Sequence, residues 1–156
     1  MPSYEQIPDV GLYLDQVSKF INSFLIDFPE MNVTPSMISN YAKQKLIDRV
    51  NKKTYTRVQI AALIMIVLSK TVISIEHVRM MLEELRNQDD TLKDAYTQFA
   101  ECLCEVLQAL SENEMYHPGE AIDDTAKMMR NTVIAIAHKM YLERYFESRA
   151  AESKEN

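Results

Sequence analysis

The chain has 156 residues, enough for one domain or two small ones with a buried core. Only two residues are glycine, Gly11 and Gly119, which excludes the nucleotide-binding loops that need clustered glycines beside a phosphate. The net charge is −6, but residues 36–57 carry +5 whereas the segments before and after them carry −4 and −7. One short basic segment in an acidic protein is a local electrostatic feature typical of nucleic-acid contact.

The chain shows no sign of secretion or membrane insertion. Its N-terminus lacks the basic and apolar stretches of a signal peptide. Its longest apolar run, residues 60–68, is less than half the length of a membrane-spanning helix. Cys102 and Cys104 would point about 200° apart on a helix, which disfavours a disulfide or a shared metal. These features predict a cytoplasmic protein with no membrane partner.

Local signals predict the first elements in chain order. Apolar residues recur every three or four positions over residues 15–28, which predicts an amphipathic helix that ends before Pro29. Thr34-Pro35 is an N-cap followed by a proline at the first helical position, so a second helix is expected over Pro35 to Gln44. The polar, basic residues 45–54 predict a turn and a loop or small hairpin around Asn51-Lys52-Lys53.

Four more helices are expected. Thr56 and Ser74 are candidate N-caps, the first for the helix holding the apolar run and the second for a helix ending near residues 87–90. Two stretches with heptad spacing follow, separated by a break at residues 113–119. They predict either two antiparallel helices packed on the rest of the chain or a helical dimer interface. The candidate dimer or partner interface comprises Leu92, Tyr96, Phe99, Leu103, Val106, Leu110, Val133, Ile136 and Met140.

The basic segment is the candidate binding site. A helix over residues 35–44 would place serine, asparagine and lysine side chains on one face, where they could contact base edges in a major groove. The basic loop that follows could contact flanking phosphates, although a solvated charged loop is the plainer alternative. The predicted DNA-binding residues are Ser36, Ser39, Asn40, Tyr41, Lys43, Lys45, Arg49, Lys52, Lys53, Tyr55 and Arg57.

Catalytic and metal sites are not predicted. His77, His117 and His138 are scattered along the chain, and no spacing brings them together with carboxylates or cysteines. The adjacent carboxylate pairs would diverge on a helix and are interpreted as solvated faces or caps. We therefore expect no enzyme activity, no metal and no cofactor.

The stretch Val33 to Leu82 resembles the DNA-binding domain of the mercury-resistance regulator (MerR) superfamily. The matching motifs, in the superfamily's order, are residues 36–41 in the recognition helix, Lys45-Leu46-Ile47 in the turn, Lys53-Thr54-Tyr55-Thr56 in the wing and residues 73–78 at the start of a later helix. With residues 12–17 included, the chain is more similar still to a bacterial family called domain of unknown function 1836, itself expected to be MerR-like. The chain departs from the superfamily at Ser39 and Asn40, where arginine is usual, at Lys45, which replaces the turn glycine, and at Thr56.

The resemblance implies an all-α protein. A MerR-like winged helix-turn-helix domain, with space for a small β wing, is expected over residues 10–88. A C-terminal helical hairpin over 91–147 and a flexible tail over 148–156 would follow. The resemblance implies a transcription regulator that binds double-stranded DNA as a homodimer, with a small effector as a further candidate partner. The alternative function is a helical protein-interaction or small-effector-binding module that keeps the same fold without binding DNA.

Overall fold

The computed structural model describes residues 1–86, 91–121 and 123–155. The chain is mostly helical, 68%, and its described residues form six helices and one two-stranded sheet. The helices are α1 (Leu14–Ser23), α2 (Pro35–Lys43), α3 (Arg57–Ser69), α4 (Ile75–Arg86), α5 (Leu92–Ser111) and α6 (Asp124–Glu155), the strands are β1 (Leu12–Tyr13) and β2 (Thr54–Tyr55), and short 3₁₀ turns lie at Tyr4–Gln6 and Pro29–Met31.

Helix α3 is the centre of the core. Its residues from Gln59 to Ser69 are all buried, and α4, α5 and α6 pack around it. The Thr56 hydroxyl accepts a hydrogen bond from the Gln59 N–H, and the Gln59 side chain accepts one from the Thr56 N–H at 2.9 Å, so the predicted cap is part of a capping box. The apolar run is therefore a buried core helix, and within the described ranges no helix is long and apolar enough to cross a membrane.

Helix α1 is shorter than its apolar periodicity predicts. It ends at Ser23, and the Leu25 and Phe28 N–H groups then form turn hydrogen bonds to Asn22 and Leu25. The chain turns here because Leu25 and Met31 both enter the core, and a continuous helix to residue 28 could not bring Met31 back to it. After this turn the chain passes back beside α1, and α2 then begins at Pro35.

The two strands join the residues before α1 to the residues before α3. They are antiparallel, with Leu12 opposite Tyr55 and Tyr13 opposite Thr54. Gly11 permits this close approach, because a Cβ at residue 11 would lie 2.9 Å from the Thr54 Cβ. The sheet therefore holds the basic segment against the start of α1.

The C-terminal helices α5 and α6 pack together as a pair, on either side of the predicted break. The connection folds back along α5, since the Tyr116 hydroxyl lies 3.7 Å from the Cys102 sulfur. A groove between the two helices is lined by Leu110 from α5 and by Tyr141 and Leu142 from α6.

In the segment expected to be a flexible tail, residues 148–155 are helical and form the end of α6. Its sequence contains good helix formers and neither glycine nor proline. Residues one turn apart also interact, with Arg149 and Glu152 forming an ion pair at 3.4 Å and the Ser153 hydroxyl donating to the Arg149 carbonyl at 2.9 Å.

The Ser74 cap of α4 is confirmed by a 3.2 Å hydrogen bond from the His77 N–H to the Ser74 hydroxyl. The predicted end of α4 near residues 87–90 lies outside the described residues.

Candidate nucleic-acid interface

Helix α2 presents a polar outer face because its apolar residues turn inward. The Thr34 hydroxyl accepts from the Met37 N–H at 3.2 Å, and Pro35 occupies the first helical position, as predicted. Ile38 and Tyr41 are buried. The opposite face contains the predicted base-contacting residues, of which Ser36, Asn40 and Lys43 are exposed and Ser39 is partly buried.

Helix α2 ends in a Schellman motif centred on a lysine. Lys45 has a φ of 59°, in the left-handed region that usually requires glycine or asparagine. The Lys45 N–H donates to the Ala42 carbonyl and the Leu46 N–H donates to the Tyr41 carbonyl, both at 3.1 Å. Leu46 is buried behind this turn, whereas the Lys45 side chain is exposed. The turn that a glycine normally makes therefore carries a positive charge here.

A second left-handed turn follows in the same segment. Lys52 and Lys53 have φ values of 53° and 61° between Asn51 and Thr54, which pair as a β-bridge with a 3.1 Å hydrogen bond from the Thr54 N–H to the Asn51 carbonyl. Positive φ at both central residues is the type I′ turn, for which Asn-Gly is the preferred sequence. The predicted small hairpin is confirmed, and both lysine side chains at its tip are exposed.

A cleft of about 630 Å³ separates the end of α2 from the hairpin. The residues that line it include the cations Lys43, Lys45 and Arg49 and the apolar residues Ile47 and Val50. The carboxylate of Asp48 also lines the cleft. Its charge is partly offset by the Arg86 guanidinium, 3.9 Å away on α4. The result is a concave surface with three exposed cations and one paired anion.

Two arginines of α4 support this surface, and the sequence contained no signal for either of them. Arg79 donates to the Gln44 carbonyl at 2.8 Å, and Arg86 donates to the Leu46 carbonyl at 3.2 Å. Both carbonyls lie at the C-terminal end of α2, where backbone acceptors lack helical partners and a positive charge is favourable. The two arginines thus fasten α4 to the end of α2 from 35 and 40 residues away in the chain.

Three of the predicted DNA-contacting residues are buried or make contacts within the protein. Tyr41 and Tyr55 are buried, and burial raises the pKa of both phenols. The Lys70 ammonium lies 5.5 Å from the centre of the Tyr41 ring. Arg57 donates to the Ile7 carbonyl at 2.8 Å and to the Glu5 carboxylate at 3.1 Å, so its guanidinium is already satisfied by the N-terminal segment.

The predicted dimer interface faces the chain's own core. Of its nine residues, Leu92 and Leu110 are partly buried and the other seven are buried. Tyr96 and Phe99, for example, have no exposed surface at all. A second chain could reach these side chains only if α5 and α6 separated, so the heptad stripes pack intramolecularly.

Among the described residues, no three histidine, cysteine or carboxylate side chains come together as metal ligands.

A family model described as "Domain of unknown function (DUF1836)" matches residues 2–99. The matched range contains β1, the sheet partner β2, the basic segment and α1 to α4, and it ends within α5. No curated protein and no solved structure matches the chain.

Proposed function

The chain belongs to the DUF1836 family, and from the geometry of its basic segment we propose that it is a sequence-specific DNA-binding regulator of transcription with a MerR-like winged helix-turn-helix domain. Helix α2 would lie in a major groove with Ser36, Ser39, Asn40 and Lys43 towards the bases. The hairpin around Lys52 and Lys53 would act as the wing. The order of recognition helix, turn, basic hairpin and two further helices agrees with the superfamily pattern, which supports this assignment.

The single observation that carries the proposal is the placement of lysines in left-handed backbone. Four described non-glycine residues have positive φ. Three of them, Lys45, Lys52 and Lys53, belong to the basic segment and fall in a stretch of nine residues. A non-glycine residue in this conformation costs about 1–2 kcal/mol. Glycine or asparagine would remove most of that cost, so a lysine at each of these three positions, which lie in two turns, lowers stability. Such a cost is expected where the charge has a function, and contact with phosphate is a function that an exposed lysine can perform.

The polar face of α2 has suitable chemistry for base contact. The side-chain amide of Asn40 can pair with the N6 and N7 groups of adenine, and Lys43 can donate to the O6 and N7 groups of guanine. Both side chains are exposed and lie one turn apart. Ser36 precedes Asn40 by one further turn and can donate to a base or a phosphate. These residues favour recognition of a short adenine-containing sequence.

The proposal specifies a salt dependence. Lys45, Arg49, Lys52 and Lys53 are exposed cations of the basic segment that are not assigned to bases. If each neutralises one phosphate, the logarithm of the binding constant should fall with the logarithm of the salt concentration with a slope of about −3.6 per chain. Arg57 is left out of this count because Glu5 holds its guanidinium at 3.1 Å. The rest of the chain carries a net negative charge, so electrostatic repulsion should keep its other surfaces from binding DNA.

The test is selection of bound duplexes from a random oligonucleotide pool, followed by fluorescence anisotropy with the selected site at several salt concentrations. We expect a recurrent motif, and we expect Lys52→Ala to reduce the magnitude of the salt slope by about 0.9. Lys127→Ala removes an exposed lysine from α6 and is the matched control, with an unchanged slope. Absence of binding at about 50 mM salt together with absence of a motif would reject DNA binding and leave the helical interaction module as the function.

A further inference from the structure

The N-terminal segment, residues 1–9, contacts both the start of α3 and the start of α5. Ile7 is fully buried in the core. The Tyr96 hydroxyl of α5 donates to the Pro2 carbonyl at 2.7 Å, and the Tyr4 and Tyr96 rings meet edge-to-face at 6.1 Å. Apolar packing and a main-chain hydrogen bond therefore anchor this segment to the rest of the chain.

Two carboxylates of the N-terminal segment lie beside Arg57, the first residue of α3. The Arg57 guanidinium is 3.1 Å from the Glu5 carboxylate and 3.8 Å from the Asp9 carboxylate. Lys93, near the start of α5, forms a second ion pair with Glu5 at 2.7 Å. The centre of the Tyr4 ring lies 5.6 Å from the Arg57 guanidinium and 5.4 Å from the Lys93 ammonium. One cation of the basic segment is thus neutralised within the chain.

These two carboxylates are not what anchors the N-terminal segment. The side chains of Glu5 and Asp9 are 65% and 79% exposed, and ion pairs of exposed side chains contribute little to stability. Arg57 also donates to the Ile7 carbonyl at 2.8 Å, a hydrogen bond that does not depend on either carboxylate. The carboxylates therefore change the charge around Arg57 more than they change the fold.

Arg57 lies where a further phosphate contact would be expected. Strand β2 and Thr56 connect it to the hairpin lysines. Carboxylate and phosphate oxygens bind a guanidinium in the same way, through charge-assisted hydrogen bonds. Glu5 and Asp9 accordingly stand at Arg57 in the place of a DNA phosphate, and their own negative charges repel DNA.

We propose that the N-terminal segment is an autoinhibitory element, whose carboxylates withhold Arg57 from DNA and so limit the affinity of the basic segment. The inference rests on the proposed DNA-binding function and adds a means of regulating it. A DNA phosphate gains Arg57 only when Glu5 and Asp9 are displaced or neutralised. Neutralisation makes one guanidinium available to one more phosphate, while the buried Ile7 keeps the N-terminal segment in place.

The test is fluorescence anisotropy with the selected duplex at several salt concentrations, using the full chain with Glu5→Gln and Asp9→Asn together. We expect the affinity at about 50 mM salt to rise about threefold or more, and the magnitude of the salt slope to rise by about 0.9, from about 3.6 to about 4.5. Glu101→Gln with Glu105→Gln removes two exposed carboxylates of α5 and is the matched control, with an unchanged slope. Far-UV circular dichroism checks that each variant keeps its helices. Asp9→Asn alone leaves the ion pair between Glu5 and Lys93 intact and should give a smaller gain in affinity.

The substitution Arg57→Gln shows whether the gain depends on the guanidinium. In the wild type, where Arg57 is already paired, it should change the affinity by less than about twofold, whereas in the double carboxylate variant it should abolish the gain. A gain that persists without Arg57 would be a general effect of charge and would overturn the proposal. A double carboxylate variant that binds DNA only as tightly as the wild type would overturn it as well. Absence of DNA binding by both proteins would instead reject the proposed function, and the autoinhibition with it.

Discussion

The side-chain amide of Asn22 hydrogen-bonds to both main-chain groups of Val33. Its oxygen accepts from the Val33 N–H at 2.9 Å, and its nitrogen donates to the Val33 carbonyl at 3.0 Å. The same carbonyl accepts from the Ser18 hydroxyl at 2.7 Å, and both partners lie on α1. Val33 immediately precedes the N-cap of α2. These three hydrogen bonds therefore fix the position of the start of α2 relative to α1.

Substitution Asn22→Ala should therefore affect both stability and binding. It leaves the partly buried N–H of Val33 without this acceptor, so we expect the free energy of unfolding to fall by about 1–3 kcal/mol in a urea titration. The affinity for the selected DNA site should fall as well, because the polar face of α2 would be less well oriented. Asn131→Ala, which removes one exposed hydrogen bond within α6, is the control and should change stability by less than about 0.5 kcal/mol. Equal effects of the two substitutions would contradict the orienting role of Asn22.

The lysine hairpin should show opposite effects on stability and on DNA affinity. Replacement of Lys52-Lys53 by Asn-Gly supplies the preferred type I′ turn and should raise the free energy of unfolding by about 1 kcal/mol. The same change removes two cations and should weaken DNA binding several-fold at low salt. Asn113→Gly alters a left-handed residue outside the basic segment, φ 56°, and should leave DNA affinity unchanged. A hairpin variant that is more stable and binds DNA as well as the wild type would show that the lysines have no role in binding.

The two glycines should differ in their tolerance of a methyl group. In Gly11→Ala the new Cβ would lie 2.9 Å from Thr54, so β1 or the hairpin must shift, and we expect a loss of about 1–3 kcal/mol in stability. Gly119→Ala is the matched control, because nothing lies within 4 Å of a Cβ at residue 119. Thermal unfolding of both variants checks the difference. If Gly11→Ala melts at the wild-type temperature, the close packing of β1 on β2 is not maintained in solution.

The N-terminal segment should contribute stability that depends on pH. A hydrogen bond from Lys93 at 2.7 Å, with the nearby positive charges, lowers the pKa of Glu5 below its ordinary value of 4.5. A carboxyl whose pKa is lower in the folded state stabilises the protein above its unfolded pKa, and this contribution is lost as the pH falls through the folded pKa. The stability difference between the wild type and Glu5→Gln should thus be largest near neutral pH and shrink below pH 4.5.

Chemical unfolding at several pH values measures this difference. Glu30→Gln, at an exposed residue of the turn before α2, is the control. The pKa of Lys93 is raised above 10.5 by the same pair, so the difference should also decline in strongly alkaline solution. A difference that stayed constant from pH 3 to pH 7 would contradict the ion pair.

Helix starts and turns were predictable because their hydrogen bonds are local. The caps at Thr34, Thr56 and Ser74 each bond to a group three residues away, and Asn51 and Thr54 close the hairpin across two residues. The caps are determined by neighbouring side chains, which the sequence contains directly, whereas Lys52 and Lys53 adopt the hairpin turn against their φ preferences. The charge distribution is equally local, so the basic segment was evident from composition alone.

Which side chains remain exposed was decided only by tertiary contacts. Arg57 lies in the basic segment and was predicted to contact DNA. Its guanidinium instead donates hydrogen bonds to Glu5 and Ile7, which lie about 50 residues earlier in the chain. The heptad stripes predicted an apolar face correctly, but α3 and the opposing C-terminal helix cover that face, and the uncovered surface of α6 lies elsewhere. The sequence by itself determined where elements begin and where positive charge collects. The tertiary structure decided which of those charges and apolar stripes reach solvent, because burial depends on partners that are distant in the chain.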